Sequence, residues 1–327
     1  MQQRLAGRRP ELAPGRLVAD LVPPPRFAAA RFSTYDPAAG QPTQAAARAA
    51  AEAFATTPPA RTNWLRRRTA TGPAGLYLDG GFGVGKTHLL ASIWHAATGP
   101  KAYGTFVEIT HLAGALGFTG VVDALSGHRL LCVDEFELDD PGDTVLVSSL
   151  LGRLADAGVR IAATSNTLPG RLGEGRFAAQ DFLREIQGLA ARFTAIRVDG
   201  PDYRHRDHAG APDPLTGAEV TRTGPGATLD DWDALVAHLA TLHPSRYGAL
   251  LDGVSAVHLR GVAPVPDQSA ALRIVVLADR LYDRDIPVRA SGVPMEALFA
   301  PDMLAGGYRK KYLRAISRLS ALARVTP

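Results

Sequence analysis

Between about residues 73 and 200, strand-like apolar runs alternate with helical stretches. The runs Gly75–Asp79, Ala102–Ile109, Leu130–Asp134, Arg160–Thr164 and Ala195–Val198 predict strands, while His88–Ala97 and Gln180–Phe193 predict helices. Alternation of this kind implies a parallel sheet with helices on both faces. Upstream, the alanine-rich stretch Thr43–Ala55 is a good helix former.

After residue 200 the pattern changes. Residues 201–227 are rich in Pro, Gly, Asp and His and read as a loop or insertion. Beyond them Thr228-Leu229-Asp230-Asp231 reads as a helix start, Ala256–Gly261 and Leu272–Ala278 as strands, and the basic stretch Tyr308–Arg324 as a helix. Residues 1–25 mix Arg, Pro and Gly, end in Pro23-Pro24-Pro25, and read as a flexible or extended lead-in. The expected organisation is a lead-in with a helix over 1–60, an α/β core over 61–200, a loop or insertion over 201–227, and a C-terminal lid or partner region over 228–327.

Composition narrows the class without naming a chemistry. A chain of 327 residues, 46% hydrophobic and 21% charged, can bury a sizeable core. No run approaches the roughly 18 apolar residues of a membrane helix. Met1–Pro10 is polar and basic with no apolar segment behind it, so a cytoplasmic protein without a secretory signal is expected. The single cysteine, Cys132, lies within Leu130–Val133 and is expected as a small buried residue. A formal charge of +4 permits an acidic partner and does not require one.

The chemistry enters at Gly80-Gly81-Phe82-Gly83-Val84-Gly85-Lys86-Thr87, which reads G-x-x-x-x-G-K-T between a strand-like run and a helix opening at His88. Small glycines let backbone N–H groups turn inward around phosphates, and the positive end of the following helix favours the anion. Lys86 would reach phosphate oxygens and the Thr87 hydroxyl would hold Mg²⁺, with His88 the last of the expected nucleotide-binding residues in this run. Lysine is scarce elsewhere: Lys86, Lys101, Lys310 and Lys311 are the only ones among 36 basic residues. ATP and Mg²⁺ are therefore the expected ligands.

A phosphate loop alone does not separate a hydrolase from a kinase. In Leu130–Glu135 an apolar strand ends in Asp134, placed to bind Mg²⁺ through its water shell, and Glu135 beside it can polarise the attacking water. No Asn-Lys-x-Asp guanine-reading motif is present. A second apolar strand ends in Asn166; set between the loop strand and the Asp134 strand, its amide would contact the γ-phosphate or the lytic water, or else simply form a turn before Leu168-Pro169. Arg192, with Arg184 in reserve, fits an arginine presented to a neighbouring subunit's ATP, with a solvated surface arginine as the alternative. Arg318 either closes over the nucleotide or is one charge on a basic helix face. Phe32 and Tyr35 either pack on the adenine ring or belong to the core.

With these motifs the chain resembles the ZapE family of bacterial cell-division ATPases. The resemblance also rests on Thr164-Ser165-Asn166, Asp199-Gly200-Pro201-Asp202-Tyr203-Arg204, Ala278-Asp279-Arg280-Leu281-Tyr282-Asp283 and Ser317-Arg318-Leu319, and it runs from about residue 30 to the end. It implies a P-loop NTPase of the AAA+ (ASCE) type, a parallel five-stranded sheet flanked by helices with a C-terminal α/β or helical lid. It also implies sensor roles for Asn166 and Arg318, oligomers in the ATP-bound state, action on the tubulin-like division polymer, and peripheral membrane contact at the division site. A helicase-loader-like, nucleic-acid-associated ATPase and an ATP-gated scaffold remain as other readings.

Overall fold

In the computed structural model, which describes residues 3–11, 14–57, 75–81, 83–136, 141–167, 187–188, 190–200 and 212–323, the apolar runs become parallel strands. They are β1 Gly75–Gly80, β2 Lys101–Thr105, β3 Leu130–Asp134, β4 Arg160–Ser165 and β5 Phe193–Val198, arranged β2-β3-β4-β1-β5. The loop strand β1 thus sits between β4 and β5, and β4 separates it from the strand carrying Asp134. That order makes the sheet a P-loop NTPase of the AAA+ (ASCE) type.

Alternate side chains explain why the sheet is covered twice. Leu76, Leu78, Leu130 and Cys132 pack with Leu89, Leu90 and Ile93 of helix α3 (Lys86–Ala96) and with Ala47 and Ala51 of α2 (Pro42–Thr56). Tyr77, Leu131 and Val133 point the other way, into Phe106, Ile109 and Leu112 of α4 (Phe106–Leu125) and Leu150 and Leu154 of α5 (Pro141–Asp156). Strands buried on both faces read as continuous apolar runs, which is why they were visible in the sequence. A short helix, α1 (Pro14–Ala19), belongs to the same unit, which comprises Ala13–Pro23 and Phe27–Arg206. Cys132 is buried as expected, and burial raises its thiol well above the ordinary range.

Two boundaries move. The run Ala102–Ile109 is strand only to Thr105, where the Thr105 hydroxyl accepts from the Glu108 amide and the Glu108 carboxylate accepts from the Thr105 amide; this capping box starts α4. The helix expected over Gln180–Phe193 lies mostly outside the described residues, and Phe193 itself opens β5.

The second unit comprises Met1–Leu12, Pro24–Arg26 and Asp207–Pro327. Its sheet is β6 Ala227–Asp231, β7 Ala256–Val262 and β8 Val288–Gly292, in sequential order and parallel throughout. Three expectations are corrected here. Thr228–Asp231 is strand rather than helix start, because Thr228 and Asp230 are fully buried in alternation and the helix begins only at Trp232. Leu272–Ala278 lies within helix Gln268–Asp283, where buried Ala271, Ile274, Val275, Ala278 and Leu281 recur every three or four residues and Asp267 caps the start by accepting from the Ala270 amide. Nor is the N-terminus a loose lead-in over its described part: Leu5 is fully buried in this unit, and the Asp230 carboxylate accepts from the Leu5 and Ala6 amides. The basic helix is found at Arg309–Ala323. No helix among the described residues is long and apolar enough to cross a membrane.

Candidate functional site

Ligands of open parallel sheets sit outside the carboxyl ends of the strands, and the polar residues of this sheet gather there. The close approach of β5 explains the first glycine: a Cβ on Gly80 would come within 2.0 Å of the Val198 carbonyl oxygen. Gly85 has φ 91°, a left-handed conformation open to glycine, and it leads directly into α3. Lys86, first in that helix, is largely buried, and its ammonium donates to the carbonyls of Gly80 at 3.0 Å and Gly81 at 2.5 Å and to Oδ1 of Asn166 at 3.0 Å. Three oxygens therefore fix the ammonium over the loop. Asn166 is brought to Lys86 by its position just after β4.

Thr87 donates its hydroxyl to Oδ1 of Asp134 at 3.2 Å. The same carboxylate accepts from the Tyr103 hydroxyl at 2.9 Å, from the Thr164 hydroxyl, and from the Glu135 amide at 3.1 Å. Burial pushes the Asp134 carboxyl above the ordinary range, and the charge of Glu135 adds to the effect; the hydrogen bonds from Thr164, Tyr103 and Thr87 oppose it. Glu135 has φ 53°, unusual for a residue with a side chain, and its amide also donates to the Thr164 hydroxyl at 3.0 Å. A held left-handed residue at a strand end is a feature of functional sites. A threonine hydroxyl beside a buried carboxylate is a hard-oxygen pair, which fits Mg²⁺ held by one protein carboxylate together with phosphate oxygens and water.

The remaining expected residues make the following contacts. The His88 side chain turns from the loop, with Nε2 3.0 Å from both the Arg31 carbonyl and the Thr34 hydroxyl. Arg192 stands just before β5; its carbonyl accepts from the Gly75 amide, and its guanidinium pairs with Asp156 at 2.8 Å. Gly75 precedes Gly80 by five residues, roughly 17 Å of strand, so Arg192 lies at the end of the sheet away from its own loop. Arg318 belongs to the second unit, where it pairs with Asp279 and lies 5.1 Å from the Tyr282 ring. Phe82 and Arg184 fall outside the described residues, as do Pro201–Arg204.

Tyr103 and the Asp79–Arg197 pair go unrecognised in the sequence, and Thr164 is singled out there only as part of Thr164-Ser165-Asn166, without its bond to Asp134. For Asp79 and Thr164 the available signal is a polar residue next to the end of an otherwise apolar strand; Tyr103 and Arg197 carry no such local signal. Phe32 and Tyr35 are both core residues.

The sequence profile of the AFG1-like ATPases matches residues 12–221 and 213–326. This chain belongs to the AFG1-like ATPase family. Its relatives include the cell division protein ZapE of Escherichia coli K12, 30% identical over 179 residues, which cover 47% of this chain and 48% of that protein. An uncharacterised protein of Schizosaccharomyces pombe is 30% identical over 151 residues, covering 40% of this chain and 33% of that one. The chain spans about half the length of the E. coli relative. Solved structures similar to this chain include DnaI, with TM-score 0.42 and 20% identity over 55% of this chain and 93% of that one. Domain III of the replication initiation protein DnaA from Thermotoga maritima has TM-score 0.40 and 21% identity, over 55% of this chain and 70% of that one.

Proposed function

We propose that this chain hydrolyses ATP in the cradle formed by Gly80–Thr87, Asp134, Glu135 and Asn166, and uses the cycle to remodel a protein assembly of cell division. One observation carries the chemistry: Lys86 and Asn166 meet at 3.0 Å while Thr87 and Asp134 meet at 3.2 Å, each pair joining the loop helix to the end of another strand. Backbone amides of the loop and the Lys86 ammonium bind the triphosphate. Thr87 and Asp134 hold Mg²⁺, which when bound supplies Lewis-acid stabilisation of the charge developing on the phosphate oxygens. Glu135 orients a water for in-line attack and accepts its proton, and Asn166 fixes the γ-phosphate or that water. Arg192, lying away from its own loop, serves the ATP of a neighbouring copy, so turnover requires an oligomer.

The target is the finer part of the proposal. Kinship with a cell division protein supports a role in division, and the resemblance carried by Asp202-Tyr203-Arg204 and Leu281-Tyr282-Asp283 supports the tubulin-like division polymer. One experiment tests both levels: nucleotide binding and phosphate release by the wild type, Lys86→Ala and Glu135→Gln, each alone, with the division polymer, and with single-stranded DNA. Lys86→Ala is expected to lose nucleotide binding, and Glu135→Gln to bind ATP, to slow release by at least about a hundredfold, and to stay on the polymer. Equal loss of ATP binding in both variants would overturn the assignment of roles. Stimulation by DNA with indifference to the polymer would replace the target.

A further inference from the structure

Tyr35 lies 49 residues upstream of Val84, buried to 5% exposure, and donates its hydroxyl to the Val84 carbonyl oxygen at 3.0 Å. Its ring is pressed against Gly85, so closely that a Cβ there would come within 2.5 Å of ring carbon Cε2. One turn further along α3, His88 Nε2 reaches the Arg31 carbonyl and the Thr34 hydroxyl, both at 3.0 Å, and the Tyr35 and His88 rings are 5.7 Å apart. The turn of residues 31–35 therefore grips the loop and the first turn of α3 at two points.

Within one trans peptide plane the C=O and the N–H point in opposite directions. Holding the Val84 carbonyl towards Tyr35 consequently turns the Gly85 N–H away from it. Gly85 has φ 91° and no side chain to restrain it, so without the tyrosine this plane is free to rotate. We infer that Tyr35 is a positioning residue for phosphate recognition: its hydroxyl orients the Val84–Gly85 peptide so that the Gly85 N–H faces the bound phosphates. The inference rests on the proposed phosphate-binding role of the loop and assigns Tyr35 no contact with the base. A ring packed on Gly85 with its hydroxyl engaged is placed for bracing the loop rather than for stacking on adenine.

The test uses the full chain and Tyr35→Phe, which keeps the ring and removes the hydroxyl. Affinities for Mg²⁺ complexes of ATP, GTP and inorganic tripolyphosphate are measured by calorimetry and by displacement of a fluorescent nucleotide, well below the melting temperature of each protein. A hydrogen bond of ordinary net strength predicts that all three ligands weaken by a common factor, about three- to tenfold. A merely structural tyrosine would shift the melting temperature and leave these affinities of the folded protein alone, and that result overturns the inference. Loss confined to ATP, with tripolyphosphate unaffected, also overturns it and assigns Tyr35 to the base. Lys86→Ala separates the two levels of failure: if it keeps all three affinities the phosphate-binding reading falls, whereas if it loses them while Tyr35→Phe changes nothing, only the role of Tyr35 falls.

Discussion

Each sheet carries an aspartate–arginine pair in register across neighbouring strands near their carboxyl ends. Asp79 of β1 faces Arg197 of β5 with an N–O distance of 2.8 Å, and Asp231 of β6 faces Arg260 of β7 at 2.6 Å. Register and chemistry are the same; burial is not. The Asp79 side chain is 1% exposed and precedes the first glycine of the phosphate loop, whereas that of Asp231 is 44% exposed and precedes a surface helix. Several other polar groups differ between the two sheets as well. In the five-stranded sheet Lys86, Asp134, Thr164 and Asn166 bond to one another's side chains. In the three-stranded sheet Asp230 accepts from the amides of Leu5 and Ala6, His258 Nδ1 lies 2.7 Å from the Val220 carbonyl, and Ser291 accepts from the Gly261 amide. Bonds between side chains are a small minority in proteins. Those beside the loop are the ones expected of the proposed nucleotide site, whereas polar groups that end on backbone fix the chain.

Replacing one buried aspartate in each sheet breaks the comparison hardest. Asp134→Asn is expected to lower Mg²⁺-dependent phosphate release by about a hundredfold or more, since under the proposed function it weakens the carboxylate that would hold the metal. Asp230→Ala is expected to leave release per folded molecule near wild type and to cost about 2–3 kcal/mol in denaturant unfolding, because two backbone donors lose their acceptor. Stability lost at Asp134 and activity lost at Asp230 would invert the lesson.

The Asp134 variant carries a second readout. Burial, reinforced by Glu135, raises the folded-state pKa of Asp134 above its unfolded value, so between those two values the folded protein binds more protons than the unfolded one. Ligand-free stability attributable to Asp134 is therefore full below the unfolded pKa and falls as pH rises towards the folded pKa. Affinity for Mg²⁺-nucleotide should climb over the same interval, as the proton leaves the carboxylate. Unfolding free energies and nucleotide affinities measured against pH in the wild type and in Asp134→Asn check this: the variant should lack both slopes, and a slope that survives in it belongs to another group.

How far the sequence revealed the fold follows from burial too. Leu130–Val133 reads as a strand because both faces of β3 are covered, and the loop motif, Asp134–Glu135 and Asn166 could each be singled out because a local pattern carries it, a Gly-rich turn or a polar residue following an apolar strand. In the second unit, Leu272–Ala278 is rich in branched apolar residues and resembles a strand; its helix follows from the spacing of Ala271, Ile274, Val275 and Ala278 together with the Asp267 cap. Thr228 and Asp230 are polar yet fully buried, which reverses the usual reading of such a stretch. The Tyr35–Val84 and Asp79–Arg197 contacts join residues 49 and 118 positions apart, and no local pattern encodes them.

The mildest test returns to the two pairs. Removing Arg197 leaves Asp79 buried beside Gly80 without its cation, and a buried carboxylate deprived of its partner is costly. Arg197 is itself half exposed and also pairs with Asp199 at 2.7 Å, so water can replace part of the guanidinium. We therefore expect Arg197→Ala to cost about 1–2 kcal/mol in unfolding, to weaken nucleotide binding through the displaced first residue of the loop, and to be partly rescued in Arg197→Lys. Arg260→Ala exposes only a carboxylate that water already reaches, and its unfolding midpoint should match wild type within error. Parallel denaturation curves with calorimetric ATP titrations of the three variants decide the matter. Equal costs at Arg197 and Arg260 would mean that register, not burial, governs these pairs, and that the carboxylate beside the phosphate loop is no more than another strand-end ion pair.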